Sequence, residues 1–148
     1  MPLLAFSKST FGAVVDVRLM PSVAQLRMLG NRAAKVNANS FKMLLDTGAE
    51  HSAVDETMVS ASWGLYPTTF AISQTLNGRR AHVPIYELAV TIFDPNGNFA
   101  WEVDALQVSA RAGSPFDETP YHGVIGRDFL DRGLLVYGGA TSKCTIAY

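Results

Sequence analysis

The chain has 148 residues, 48% of them apolar and only 17% charged, with a formal net charge of -1. That length fits one domain, here taken as residues 1–148, and the charge balance argues against a nucleic-acid binder because no basic block or acidic tail occurs. One cysteine, Cys144, excludes an intrachain disulfide and fits a reducing compartment.

The opening "MPLLAFSKSTFGAVVDVRLM" has an apolar stretch broken by Ser7, Lys8 and Ser9 and no charged leader, so it does not read as a signal peptide. No apolar run reaches the length of a membrane span. A soluble, cytoplasmic protein without membrane contact is the expectation. Residues 1–10 read as a flexible or dimer-contacting arm.

In chain order, "FGAVVDVRL" (Phe11 to Leu19) reads as a strand, rich in β-branched residues. "PSVAQLRMLG" carries Val23, Leu26 and Leu29 at helical spacing before Gly30, which predicts a short helix. "AAKVNANSFKMLLDTG" reads as two strands joined at Asn37 to Ser40. "VDETMVSASWGL" predicts a single short helix, with Asp55 as N-cap and Gly64 as its stop.

Asn77-Gly78 is a strong hairpin turn between strand-like arms. Pro84, in the returning arm, requires an edge at that point. "DPNG" (Asp94 to Gly97) predicts a second turn, and "NFAWEVDALQVSA" another strand. "RAGSPFDETPYHG" reads as a loop, "GVIGRDFLDRG" as a buried strand end entering a helical turn, and "LLVYGGATSKCTIAY" as a last hairpin. Short strands, frequent turns and little helix point to a closed or nearly closed all-β domain with one or two short helices.

The chemistry centres on "FKMLLDTGAEHSAV", where Asp46 leaves a greasy run and enters a Thr-Gly turn. A carboxylate beside apolar side chains is costly unless paired or hydrogen-bonded. The triplet by itself is a weak signal, expected by chance in about 3% of chains this long. It gains weight from "GVIGRDFL" far downstream and from the hairpin at Asn77-Gly78 between the two.

That ordered set resembles the retroviral-type aspartic proteases (retropepsins), and in pattern their bacterial and other cellular members. The resemblance runs from about Phe11 to the C-terminus. It implies the small closed β-barrel of the acid proteases and an aspartic endopeptidase that needs no cofactor and no metal. With one Asp-Thr-Gly in about half the length of a two-lobed enzyme, the second Asp46 would come from a second chain, so a homodimer is implied.

By the same resemblance Asp46 is the catalytic carboxyl. Thr47 joins the hydrogen-bond lattice across the twofold axis, Gly48 gives the tight turn and a carbonyl for substrate, and Ala49 stands where some relatives carry a hydroxyl. Lacking that hydroxyl implies a mildly acidic optimum. Glu50 and Arg127 would form a bidentate, partly buried ion pair that fixes the loop. Val124 would line the pocket beside the scissile bond, with His51, Ala53, Tyr121 and His122 at outer subsites. Residues Phe70 to Val83 would be the flap, placing Thr75, Leu76, Asn77 and Gly78 over a bound polypeptide.

Other readings of these residues are weaker. His51, His82 and His122 match no zinc spacing, and no Gly-x-Ser-x-Gly elbow presents Ser52 or Ser60 as a nucleophile. Phe70, Phe93, Phe99 and Trp101 read as core, and Arg79-Arg80 as a solvated pair able to attract acidic substrate residues. The competing class is a catalytically silent dimer that binds or scaffolds peptides. A monomeric β-domain with an accidental triplet is the third.

Overall fold

The computed structural model describes residues 2–59, 61–74 and 79–148. Strand β1 (Leu3–Ser7) buries Leu4 and Phe6, and β2 (Val14–Pro21) buries Val15, Val17 and Leu19. The alternation is the period of two that turns successive side chains to opposite faces. Helix α1 (Val23–Leu29) follows, as its spacing predicts. Ser22 caps it, its Oγ accepting from the Gln25 N–H, and Gly30 ends it at φ 55, a conformation that favours glycine.

Two segments differ from the sequence reading. Residues Gly30–Lys35 form a 3-10 helix, not a strand, because Ala33, Ala34 and Lys35 have weak strand preference and continue the turn begun at Gly30. Only β3 (Asn39–Leu45) is extended in that stretch. After β4 (Ala53–Asp55) the expected single helix is two 3-10 turns, Glu56–Met58 and Ala61–Trp63. Asp55 caps the first, accepting from the Thr57 N–H and hydroxyl, but β-branched Val59 goes extended and breaks the run. Trp63 is buried and donates its indole N–H to the Asn37 carbonyl at 2.9 Å.

The remaining elements are β5 (Thr69–Gln74), β6 (Arg80–Phe93), β7 (Phe99–Arg111), β8 (Gly123–Ile125), α2 (Arg127–Leu130), β9 (Leu134–Gly138) and β10 (Lys143–Ala147). Six strands pair in the order β2-β3-β8-β4-β7-β6, and β6 returns to β2, closing the barrel. The predicted all-β, closed architecture with short helices is what forms. Closure leaves those strands without free edges.

β6 is longer than the barrel needs. Leu88–Ile92 pair with β2, whereas Arg80–Ile85 run beyond it and pair with β5. Pro84 lies in this overhang, where β7 no longer covers the other side, so its missing N–H leaves no ladder bond unmade. The β6–β7 turn is the predicted Asp94–Gly97. Asp94 Oδ1 accepts from the Asn96 and Asn98 N–H groups, and the Asn98 side chain, the largest influence, holds its carboxyl below the usual range. A bulge in β7 places Ala105 at φ 60.

Val17, Leu19, Met43, Leu88, Val90, Ile92, Val108, Ile125 and Phe129 fill the barrel. Of the four aromatics expected in the core, Trp101 is buried, stacked on Tyr148 and edge-on to Phe129 at 4.4 Å. Phe70 and Phe99 are exposed instead, since β5 lies outside the closed ring and Phe99 opens β7 on its solvent face; Phe93 is half-buried.

β1, β10 and β9 make a separate antiparallel sheet. The N-terminal segment is therefore a strand paired in register with the tail, Leu3 opposite Ala147, and not a loose arm. Cys144 is buried between them, which pushes its thiol up. Among the described residues no helix is long and apolar enough to cross a membrane.

Phe129 is fully buried at the junction of helix and barrel. Replacing Phe129 by Ala is expected to cost roughly 3–5 kcal/mol through lost burial and the cavity left behind. Urea denaturation, with an unchanged m value, is the measurement that checks it.

Candidate active site

The two distant motifs meet because β3 and β8 pair in parallel, Leu44 opposite Val124 and Leu45 opposite Ile125. The chain then leaves β3 as the Asp-Thr-Gly turn. The Asp46 N–H donates to the Ile125 carbonyl at 3.0 Å, the Ala49 N–H to the Asp46 carbonyl at 3.1 Å, and the Gly48 N–H to Asp46 Oδ1 at 2.9 Å. Asp46 is half-buried, with Thr47 and Gly48 exposed beside it. Among the described residues the Thr47 hydroxyl has no hydrogen-bond partner.

The loop beyond the turn is stitched to the start of α2. Arg127 N–H donates to the Ala49 carbonyl at 2.9 Å and Asp128 N–H to the Glu50 carbonyl at 3.2 Å. Gly126 makes this approach possible, since a Cβ there would lie 2.6 Å from the His51 carbonyl carbon. No other residue type fits that gap without moving backbone.

The expected Glu50–Arg127 ion pair does not form. The Glu50 side chain is 75% exposed, and its Oε1 lies 3.9 Å from the His51 Nε2, not beside Arg127. Arg127 is also exposed and touches the loop through its backbone N–H. One residue on, Asp128 supplies the clamp instead. Its two oxygens accept from the Ser52 N–H at 3.0 and 2.9 Å, and Oδ1 also accepts from the Ser52 hydroxyl at 2.7 Å. Ser52 Oγ in turn accepts from the Gly126 N–H at 3.0 Å. Ser52 is fully buried, so its hydroxyl and the Gly126 N–H depend on each other and on Asp128 for partners, while Asp128 Oδ1 also accepts from the Phe129 N–H at 2.9 Å.

The Ser52–Asp128 clamp is the feature that sequence reasoning missed. The available signals were a hydroxyl inside an apolar stretch and a short acidic side chain in the first turn of "GRDFL". The buried Ser52 hydroxyl is held by Asp128 and Gly126, which gives it a positional task.

Ala49, His51, Ala53 and Val124 come together as expected, lining a cavity of about 410 Å³ with Glu50, Arg111, Pro115 and Phe116. A second cavity of about 690 Å³ lies between the β5–β6 arm (Ser73, Ala81 to Pro84) and residues 110–113, and it shares Arg111 and Pro115 with the first. The two cavities adjoin at these residues and are together referred to as the cleft. Arg111, Pro115 and Phe116 had no marker beyond the turn-rich composition of their loop.

Tyr121 is not a lining residue of either cavity; its ring packs on Phe11 and Phe116. His122, just before β8, is exposed, its ring edge-on to Phe41, and it lines neither cavity. Thr75, Leu76, Asn77 and Gly78 lie outside the described residues. On its other side, Asp46 and Thr47 border a cavity of about 350 Å³ walled by Phe11, Leu44, Leu135, Tyr137 and Cys144. No group of three metal-ligating side chains occurs among the described residues.

No family model and no curated protein sequence matches the chain. A solved structure does. The crystal structure of a retropepsin-like aspartic protease from Rickettsia conorii aligns with a TM-score of 0.55 over 99% of this chain and 91% of that one, at 13% sequence identity. The fold is therefore the retropepsin-like acid-protease barrel.

The clamp and the absent ion pair give opposite expectations. Ser52→Ala is expected to destabilise by about 1–3 kcal/mol, because it orphans the Gly126 N–H and one Asp128 lone pair in a buried site. Glu50→Gln is expected to stay within about 0.5 kcal/mol of the parent. Parallel denaturation curves of the two variants check both.

Proposed function

We propose that the chain is one half of a homodimeric aspartic endopeptidase, with Asp46 from each subunit forming the catalytic dyad. The observation that carries this reading is the placement of Asp46. It stands on a turn fixed by β8, three residues before Ala49 of the cleft wall and bordering the cavity of Leu44 and Thr47, with a free hydroxyl beside it, on a barrel shared with a retropepsin-like aspartic protease. A single turn offers one carboxyl, and peptide hydrolysis of this type needs two.

Two carboxyls about 3 Å apart cannot both ionise, so they hold one proton between them and titrate as a unit. The ionised member takes a proton from a water held between them. The water oxygen attacks the scissile carbonyl carbon while the protonated member gives its proton to the carbonyl oxygen. The tetrahedral diol then collapses, with a proton passed to the departing amine nitrogen, and the dyad regains its single proton.

A twofold axis between the two Asp46 turns would let Thr47 of each subunit meet the other, which gives its unpartnered hydroxyl an occupation. The substrate is an extended polypeptide. Its backbone would lie between flap and floor, the Gly48 carbonyl accepting one of its N–H groups. The small walls at Ala49, Ala53 and Val124 suit apolar side chains around the cut bond.

Digestion of a random peptide mixture from mildly acidic to neutral pH, read by mass spectrometry, tests the proposal. Asp46→Asn is expected to lower cleavage by a factor of about 10²–10⁴ or more, the contribution of a general acid–base pair. A statine-type inhibitor is expected to block the same cuts. If both proteins leave the peptides intact yet bind them alike, a peptide-binding dimer replaces the enzyme.

A further inference from the structure

Small and apolar residues make up most of the cleft wall, and one strong cation interrupts them. Arg111 is the last residue of β7, its backbone held opposite Asp55 of β4. Its side chain is exposed and lines both cavities, at the seam between the loop that follows Asp46 and the β5–β6 arm. One Nη1–H reaches β5 at Ser73 Oγ, at a long 3.5 Å. Its other donors have no partner among the described residues, whose ion pairs are Arg18–Glu102, Lys42–Asp16 and His51–Glu50.

The surroundings reinforce that imbalance. The larger cavity is lined by Arg111 and His82 and by no Asp or Glu; the smaller one holds the single acid Glu50. A guanidinium has five N–H donors in a planar fork matched to a carboxylate. Here that fork faces open cleft, where low-dielectric walls strengthen its field.

We propose that Arg111 is a specificity-determining residue of the cleft, taking the carboxylate of an Asp or Glu side chain of the polypeptide at a position outside the pair flanking the cut. The inference rests on the cleft being the peptide site of the proposed function. The bound carboxylate accepts the fork in place of the weak Ser73 contact, and His82 lines the same cavity as a further nitrogen donor. A Lys or Arg at that position meets like charge and is rejected.

The test uses the same peptide digest with wild-type protein, Arg111→Gln, Arg111→Lys and Arg111→Glu. Wild type is expected to favour Asp and Glu over Asn and Gln about tenfold at one position, the value of a charge-assisted hydrogen bond in a partly open cleft. The ratio is expected to fall to about one in Arg111→Gln, recover in part in Arg111→Lys, and turn towards Lys and Arg in Arg111→Glu. A digest with the same profile in wild type and Arg111→Gln overturns the subsite and leaves the protease standing.

Should wild-type protein cut nothing, the mixture is passed over immobilised Asp46→Asn and Asp46→Asn/Arg111→Gln proteins. Enrichment of acidic peptides on the first alone upholds the subsite and removes the enzyme. Equal retention on both, or none on either, overturns the subsite as well.

Discussion

The pairing of β3 with β8 is the constraint on which the rest of the molecule turns. Two residue pairs join segments far apart in the chain, and a parallel pairing so short cannot hold itself against the entropy of ordering both partners. It is held from the outside. The Ser52–Asp128 clamp, the Gly126 approach and the backbone bonds from Arg127 and Asp128 fasten the turn after Asp46 to the start of α2. The Asp46 carboxyl is thereby positioned by neighbours outside its own turn.

Barrel closure and site geometry are two results of one arrangement. Because β6 pairs with both β7 and β2, the six-stranded ring closes around an apolar core and leaves no free edge within it, β5 alone of this sheet standing outside. Because β6 also overshoots the barrel, its first residues pair with β5 and line the larger cavity beside Arg111. The same strand thus supplies the wall of the core and part of the wall of the proposed peptide site. The Asp46 turn sits just beyond the end of β3, half exposed.

Much of this was legible in the sequence wherever a local signal and the tertiary structure agree. The alternation at Val15, Val17 and Leu19, the Gly30 end of α1, the Asp94–Gly97 turn and the edge demanded by Pro84 all belong to that group. Residues 30–35 and 56–63 were misread for a shared reason: each is too short for periodicity to separate a strand or helix from consecutive tight turns. Phe70 and Phe99 show that an aromatic in a strand is core only if its face is covered, which a non-local pairing decides.

The clamp was hidden for a different reason. Analogy assigned the anchoring charge to Glu50 and Arg127, whereas Asp128, with the shorter reach and the buried Ser52 beside it, performs the task. The two choices lie one residue apart in "GRD", and only three-dimensional placement separates them.

The most direct test of the shared dyad is a subunit-mixing titration. Wild-type and Asp46→Asn chains would be unfolded together, refolded at fixed total concentration in varying proportion, and assayed on one cleaved peptide. A dyad built from both chains predicts activity that falls as the square of the wild-type fraction, since mixed dimers carry one functional carboxyl. Activity in simple proportion to that fraction would mean that each chain acts alone, and would contradict the homodimeric site.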